Sequence, residues 1–220
     1  MIYVARVNNK LNEKNMRTEN AALMKMARES LKGKWGLAIG ASVVYCLLVT
    51  GVQLVPRVGW IGSLLITGPM IFGVTVFFLA LSRNQDAKLE QLFAGFNNFG
   101  NSLAAYLLIS IFVFLWALLL IVPGIIAALS YAMTFYIMAD DKSIGATEAI
   151  RRSKKMMDGY KWKLFCLKFR FLGWALLAIL TCGIGLLWLM PYVDTSMAKF
   201  YDDIKDGQAE AEKAPEPSVA

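Results

Sequence analysis

The chain has 220 residues, 57% of them hydrophobic and 18% charged, and a formal net charge of +7 from 23 Lys+Arg against 16 Asp+Glu. Soluble domains carry about 45–50% apolar and about 25% charged residues, so a polytopic membrane protein is the expected class. There is no histidine, which excludes histidine triads, His-ligated zinc and imidazole proton relays. Cys46, Cys166 and Cys182 are odd in number with no CxxC pair. Neither a disulfide framework nor a thiolate metal site is expected from them, and no cofactor is implied.

Residues 1–20 turn polar after Val7 and read as a mobile amino tail. Asn20 is expected to cap a helix from Ala21 to about Lys32, with Leu23, Ala27 and Leu31 on one face and Lys25, Glu29 and Lys32 largely on another. This helix leads through Gly33-Lys34 into Trp35, a residue type that favours the membrane interface. From Trp35 to Leu81 the only charge is Arg57, between Pro56 and Gly59. A crossing needs about 20 apolar residues. The run therefore reads as two arms, about 35–55 and 59–81, with Pro69 kinking the second. No cleavable signal peptide is expected, because the first apolar run begins only at Trp35 and is too long for an h-region.

The Ser82–Phe99 connector carries Phe93, Phe96 and Phe99, enough for a short interfacial segment. Phe99 to Ala139 holds no charge and predicts two crossings, about 102–122 and 125–139, turning near Pro123-Gly124. The second is short, so the turn starts earlier or the helix runs past Asp140. Asp140-Asp141 is expected to end that span and cap the next helix, with Ser143 a further candidate cap.

In the connector that follows, Ala146, Ala149, Ile150, Ser153, Met156, Met157 and Tyr160 recur at three- and four-residue steps. Arg151, Arg152, Lys154, Lys155 and Asp158 take much of the remaining surface. A basic amphipathic helix of this kind is expected to lie against anionic headgroups, each nearby basic residue contributing about 1 kcal/mol. Arg151, Arg152, Lys154 and Lys155 are therefore the candidate anionic-lipid contacts, with a phosphorylated lipid or nucleotide as the alternative ligand. No nucleic-acid partner is expected, since no recognition fold accompanies the charge.

Phe171 to Met190 reads either as a single span or as part of a hairpin that turns at Gly183-Ile184-Gly185, with arms 164–182 and 186–204. Three hairpins leave every Lys and Arg except Arg57 on or near one side, which the positive-inside rule makes cytoplasmic. The expectation is thus an all-α membrane protein in which residues 21–204 form a single domain. It has six transmembrane helices as three hairpins, joined by cytoplasmic amphipathic connectors; five spans is the alternative. Residues 205–220, rich in Ala, Glu and Pro, read as a disordered carboxyl tail.

Asp194 would then lie near the middle of the last helix, where an ionised group is expensive and is usually paired or functional. The expected partner is Arg170 or Lys168 across the hairpin, with a proton or substrate site as the other reading. The chain also reads as three units, each an amphipathic stretch followed by a hairpin. Gly33-Lys34-Trp35 and Tyr160-Lys161-Trp162 sit at equivalent junctions.

An ordered set of short motifs carries a family resemblance. It runs from Ala27-Arg28-Glu29-Ser30-Leu31-Lys32-Gly33 with Trp35, through Phe93-x-Gly95-Phe96 and Ile121-Val122-Pro123-Gly124-Ile125, to Glu148-Ala149-Ile150 with Ser153, Met157 and Gly159. Gly173-Trp174, Thr181-x-Gly183-Ile184-Gly185, Pro191-Tyr192 and Phe200-Tyr201 complete it. Over about residues 21–204 the chain resembles the bacterial integral-membrane family of domain of unknown function 975. More distantly, it is similar to the membrane portion of certain glycerophosphodiester phosphodiesterases. The resemblance implies a multi-pass, all-helical protein of the bacterial cytoplasmic membrane and no established activity; the positive-inside rule puts the amino terminus on the cytoplasmic side. Phe169-Arg170-Phe171 is more basic than that family pattern.

The leading expectation is a non-enzymatic scaffold, lipid-binding module or subunit of an envelope complex. Its partners would be anionic membrane lipids and a membrane protein or a second copy of the chain. A small transporter or channel is the alternative, and requires a polar cavity reaching Asp194. A membrane enzyme comes third, and requires Asp140 or Asp141 to face a pocket with Arg151 or Lys155.

Overall fold

A computed structural model describes residues 18–54, 59–181 and 183–213. The turn expected around Arg57, most of the amino tail, Cys182 and the last residues of the carboxyl tail lie outside the described residues. Among the described residues the fold is all helical. Four helices are long and apolar enough to cross a membrane: Trp35–Gln53, Ile61–Ser82, Phe99–Leu119 and Ile121–Asp140.

Helix α1 (Asn20–Leu31) buries Leu23, Met24, Ala27, Ser30 and Leu31, the face its spacing predicts. Asn20 is its first residue rather than its cap. Its amide instead donates to the Lys163 carbonyl at 3.0 Å, a tertiary contact that local propensity does not register. Thr18 is also anchored, donating to Asp203 at 2.6 Å, so the expected tail does not extend as far as residues 18–20. Gly33, at φ +79°, turns the chain into α2 (Trp35–Gln53). Gly159, at φ +82°, makes the corresponding turn before the Lys161 helix, so the two junctions share a left-handed glycine.

Helix α3 (Gly59–Ser82) passes through Pro69 and packs against α2 and most later elements. The connector after it packs back onto α3 through a few buried positions, Leu92 and Gly95 among them. A 3-10 turn (Leu89–Phe93) and the short helix α4 (Ala94–Asn97) fold back along α3. Contact there is backbone to backbone. A Cβ on Gly73 would stand 1.8 Å from the Leu92 carbonyl oxygen, and one on Gly95 would stand 1.9 Å from that of Pro69. Two glycines set the depth to which the segment seats. Phe93, Phe96 and Phe99 stay exposed, with Phe96 stacked on Phe99 at 6.4 Å, as an interfacial segment requires.

Helix α5 (Phe99–Leu119) and α6 (Ile121–Ser130) are separated only by Leu120, in extended conformation. The turn therefore falls before Pro123-Gly124 rather than at it. Pro123 is the third residue of α6, where an N–H would have no helical acceptor in any case. Gly124 brings the helices together, since a Cβ there would meet the Ala117 Cα at 2.8 Å.

The fourth apolar stretch breaks at Tyr131–Met133 before α7 (Thr134–Asp140). A serine from the next helix, α8 (Ala146–Met156), fills the gap. Ser153 donates to the Ser130 carbonyl at 2.8 Å and accepts from the Met133 amide at 3.2 Å. Backbone groups freed by a broken helix in an apolar setting need such a partner.

Helix α9 (Lys161–Leu180) and α10 (Leu186–Lys213) pack together, with turns at Thr181 and at residues 183–185. Lysines and Arg170 in α9, and Asp194 and Lys199 in α10, keep both out of the purely apolar class. Of the tail expected to be disordered over 205–220, residues 205–213 are helical, α10 continuing to Lys213. Ile204 is buried, and Gln208 donates to the Met156 carbonyl at 3.1 Å, so the extension is docked rather than free.

Candidate functional site

Large exposed apolar side chains concentrate at one end of the long helices. Leu47 and Leu54 close α2, Ile61 and Leu65 open α3, Phe114–Ile126 flank the α5–α6 turn, and Leu176, Leu180 and Trp188 flank the last turn. Charged groups that pair lie at the other ends. Arg83, one residue beyond α3, donates to Asp140 at 2.7 and 3.1 Å and to Asp202 at 2.7 Å. Asp140 also accepts from Lys205 and, at 3.0 Å, from the Tyr201 hydroxyl. Lys199 donates to the Ser82 carbonyl. The Asp140 and Asp202 carboxylates raise the Arg83 pKa above its ordinary range, although partial burial opposes them. Nearby, Lys163 pairs with Asp203 at 2.7 Å, the two side chains only 7% and 10% exposed.

Sequence reasoning passed over Arg83. Its signal is positional: like Asp140, it is the first charge met after a long apolar run, so the two mark helix ends that can meet. Asp140 and Asp141 do not cap α8. Asp140 belongs to the Arg83 network, and Asp141 accepts from the Ser143 amide and hydroxyl at 3.2 and 2.5 Å. The Ser143 bonds and the nearby Arg152 lower the Asp141 pKa. Ser143 lies outside α8 for the same reason, and Gly145 takes the cap position.

Arg151, Arg152, Lys154 and Lys155 all point outward from α8, while Ala146, Ala149, Ile150 and Ser153 are buried. Glu148 binds both arginines, at 2.7 Å to Arg151 and 3.1 Å to Arg152. Lys154 and Lys155 carry no ion pair among the described residues. Lys155 does border a cavity of about 380 Å³ with Asp140, Asp141, Arg152 and Lys205, the juxtaposition an enzyme would need. Both carboxylates are already engaged there by bases and hydroxyls.

Asp194 and Arg170 are not brought together. No ion pair or hydrogen bond of either exists among the described residues. Asp194 instead lines a cavity of about 410 Å³ with Lys168, Tyr45, Tyr136, Thr75 and Ser42, otherwise walled by apolar side chains. Lys168 shares the cavity without closing to ion-pair distance.

An all-helical chain with four membrane-competent helices and no strand among its described residues defines the class: a helical membrane protein. The chain belongs to the family described as protein of unknown function (DUF975), which matches residues 16–133 and 118–208. No curated protein and no solved structure matches it. Nothing in the comparisons joins it to the glycerophosphodiester phosphodiesterases.

Proposed function

We propose that this protein crosses the bacterial cytoplasmic membrane six times, amino terminus inside, and serves as a non-enzymatic lipid-binding scaffold or subunit of an envelope complex. The observation that carries the reading is the polarity of the helices. Exposed apolar side chains gather beside the inter-helix turns, and the Arg83 and Lys163 networks gather at the opposite helix ends. The last two helices count as crossings because their basic residues lie toward the networked end, where long basic side chains reach the headgroups. On this reading α8 rests on the inner leaflet and offers Lys154 and Lys155, which have no protein partner among the described residues, to anionic lipid.

Two tests apply. Cysteines placed singly in the carboxyl tail of a cysteine-free variant are expected to resist labelling from outside the cell; external labelling refutes six crossings. Lys154→Gln with Lys155→Gln is expected to weaken retention of phosphatidylglycerol about 30-fold, from two basic side chains at about 1 kcal/mol each. Unchanged retention refutes the lipid role of α8. A transporter is the second reading, favoured by the cavity at Asp194. It requires substrate flux in proteoliposomes that Asp194→Asn abolishes, whereas a scaffold loses stability and gains no flux phenotype.

A further inference from the structure

Arg170 faces outward from α9 beside exposed Phe169 and Leu172, with no hydrogen bond or ion pair among the described residues. A lone guanidinium on a lipid-facing helix surface is costly unless it meets an anion. Arg28 on α1 is likewise exposed and unpaired. Arg170 lies one helical turn before Trp174, on the α9 face that also carries Leu177 and leads to Thr181. Arg28 and Tyr192 also border a cavity of about 540 Å³, whose wall continues through Trp35, Trp174 and Trp188 to Gly185 at the last turn. The cavity thus joins a cationic mouth to an apolar slot running along α9 and α10. Trp35 stands near the mouth, where an indole suits the level of headgroups.

We propose that this groove binds one anionic phospholipid, its phosphate held by Arg28 and Arg170 and one acyl chain lying between Trp174 and Trp188. Arginine is the suitable cation, because its planar fork donates two hydrogen bonds to one phosphate. The Tyr192 hydroxyl adds a third donor beside them. The apolar slot selects a lipid over a free phosphate, since a soluble anion leaves the tryptophan walls without an occupant. The site accounts for a charge that family resemblance and the expected Asp194 pairing both leave unexplained. It rests on the reading that α9 and α10 lie in the bilayer, but it involves neither α8 nor the number of crossings.

The three groove tryptophans make the test direct. With Trp60, Trp116 and Trp162 replaced by Phe, the full chain is placed in phosphatidylcholine bilayers, and quenching by acyl-brominated phosphatidylglycerol is compared with quenching by brominated phosphatidylcholine. Half-quenching is expected at about 30-fold lower mole fraction of the anionic lipid, the product of two basic side chains each worth about a factor of five. Arg28→Gln with Arg170→Gln is expected to remove that preference. Arg28→Lys with Arg170→Lys should restore part of it. Both arginines are exposed, and an unchanged melting curve confirms that the substitutions leave packing intact. Equal quenching by the two lipids overturns the proposal, as does a preference that survives loss of both arginines. Lys154→Gln with Lys155→Gln is expected to leave the quenching unchanged; if it abolishes the preference, the headgroup sits on α8 and the groove assignment is wrong. External labelling of the carboxyl tail with lipid preference intact would sink the six-crossing reading alone.

Discussion

Replacing Lys163 by methionine removes the cation from the least exposed ion pair among the described residues. Lys163 and Asp203 are 7% and 10% exposed and stand 2.7 Å apart, and the ammonium also lies 5.6 Å from the centre of the Phe200 ring. Removing one member of a buried pair costs about 3–5 kcal/mol, because the other charge is left without compensation. Asp203 keeps its 2.6 Å bond from Thr18, and the methionine stem preserves most of the packing over Phe200. Those two features place the cost near the lower limit, about 3 kcal/mol. Asp203→Asn should cost a comparable amount. The double variant should recover much of the loss, because neither charge then remains buried alone. Reversible unfolding of the purified protein in detergent, across the two single variants and the double, gives the coupling energy. Arg151→Gln is the control: its side chain is 77% exposed in the pair with Glu148, and no measurable change is expected. If Lys163→Met lies within about 0.5 kcal/mol of the parent, or the two single effects simply add, the buried-pair reasoning is refuted.

Gly73→Ala and Gly95→Ala should each cost at least about 3 kcal/mol, since the new methyl meets a carbonyl oxygen on a neighbouring backbone that cannot rotate away. Gly100→Ala, with nothing within 4 Å of the added carbon, should be neutral or stabilising by up to about 1 kcal/mol; thermal melts that rank the three otherwise refute the seating of the connector. Ser153→Ala should cost about 1–3 kcal/mol and speed amide exchange at Met133, because the broken ends of α6 and α7 lose their shared partner. The Asp141 pKa is lowered on folding, so its contribution to the α7–α8 loop is present above the ordinary aspartate value of 3.8 and is lost as pH falls through the lower folded value. Amide exchange at Ser143 followed down a pH series checks this, and protection that is lost already at neutral pH would contradict it.

Much of the helical layout was legible because hydropathy is local. The charge-free run from Phe99 to Ala139 predicts two helices, and α5 with the α6–α7 pair occupies that run. The positions that misled are those where one residue has two physical roles. Pro123-Gly124 signals a break, but proline in the first turn and glycine at a close approach are equally suited to starting a helix. Asn20 and Ser143 have the chemistry of caps, yet each has a better partner elsewhere. The carboxyl end looked too polar to order. Its polar groups are ordered by what they reach, as Gln208 is by the Met156 carbonyl.

The outward position of the four basic residues on α8 was legible from the three- and four-residue spacing of the apolar positions between them, and the structure leaves all four exposed. Asp194 was legible as an anomaly, but its surroundings were not. Its cavity is assembled from α2, α3, α7, α9 and α10, and no local pattern reports that convergence.

By itself, then, the sequence determined the helical class, the apolar runs and the placement of basic residues away from them, because each follows from side-chain transfer energies and short-range periodicity. Tertiary structure decided which charges neutralise one another, where the fourth apolar stretch breaks and how deeply the Leu89–Asn97 segment seats. Arg83 lies 57 residues from Asp140 and 119 from Asp202 along the chain. Whether such groups come within hydrogen-bond distance depends on how the helices stack, a property of the whole packing arrangement that no window of sequence contains.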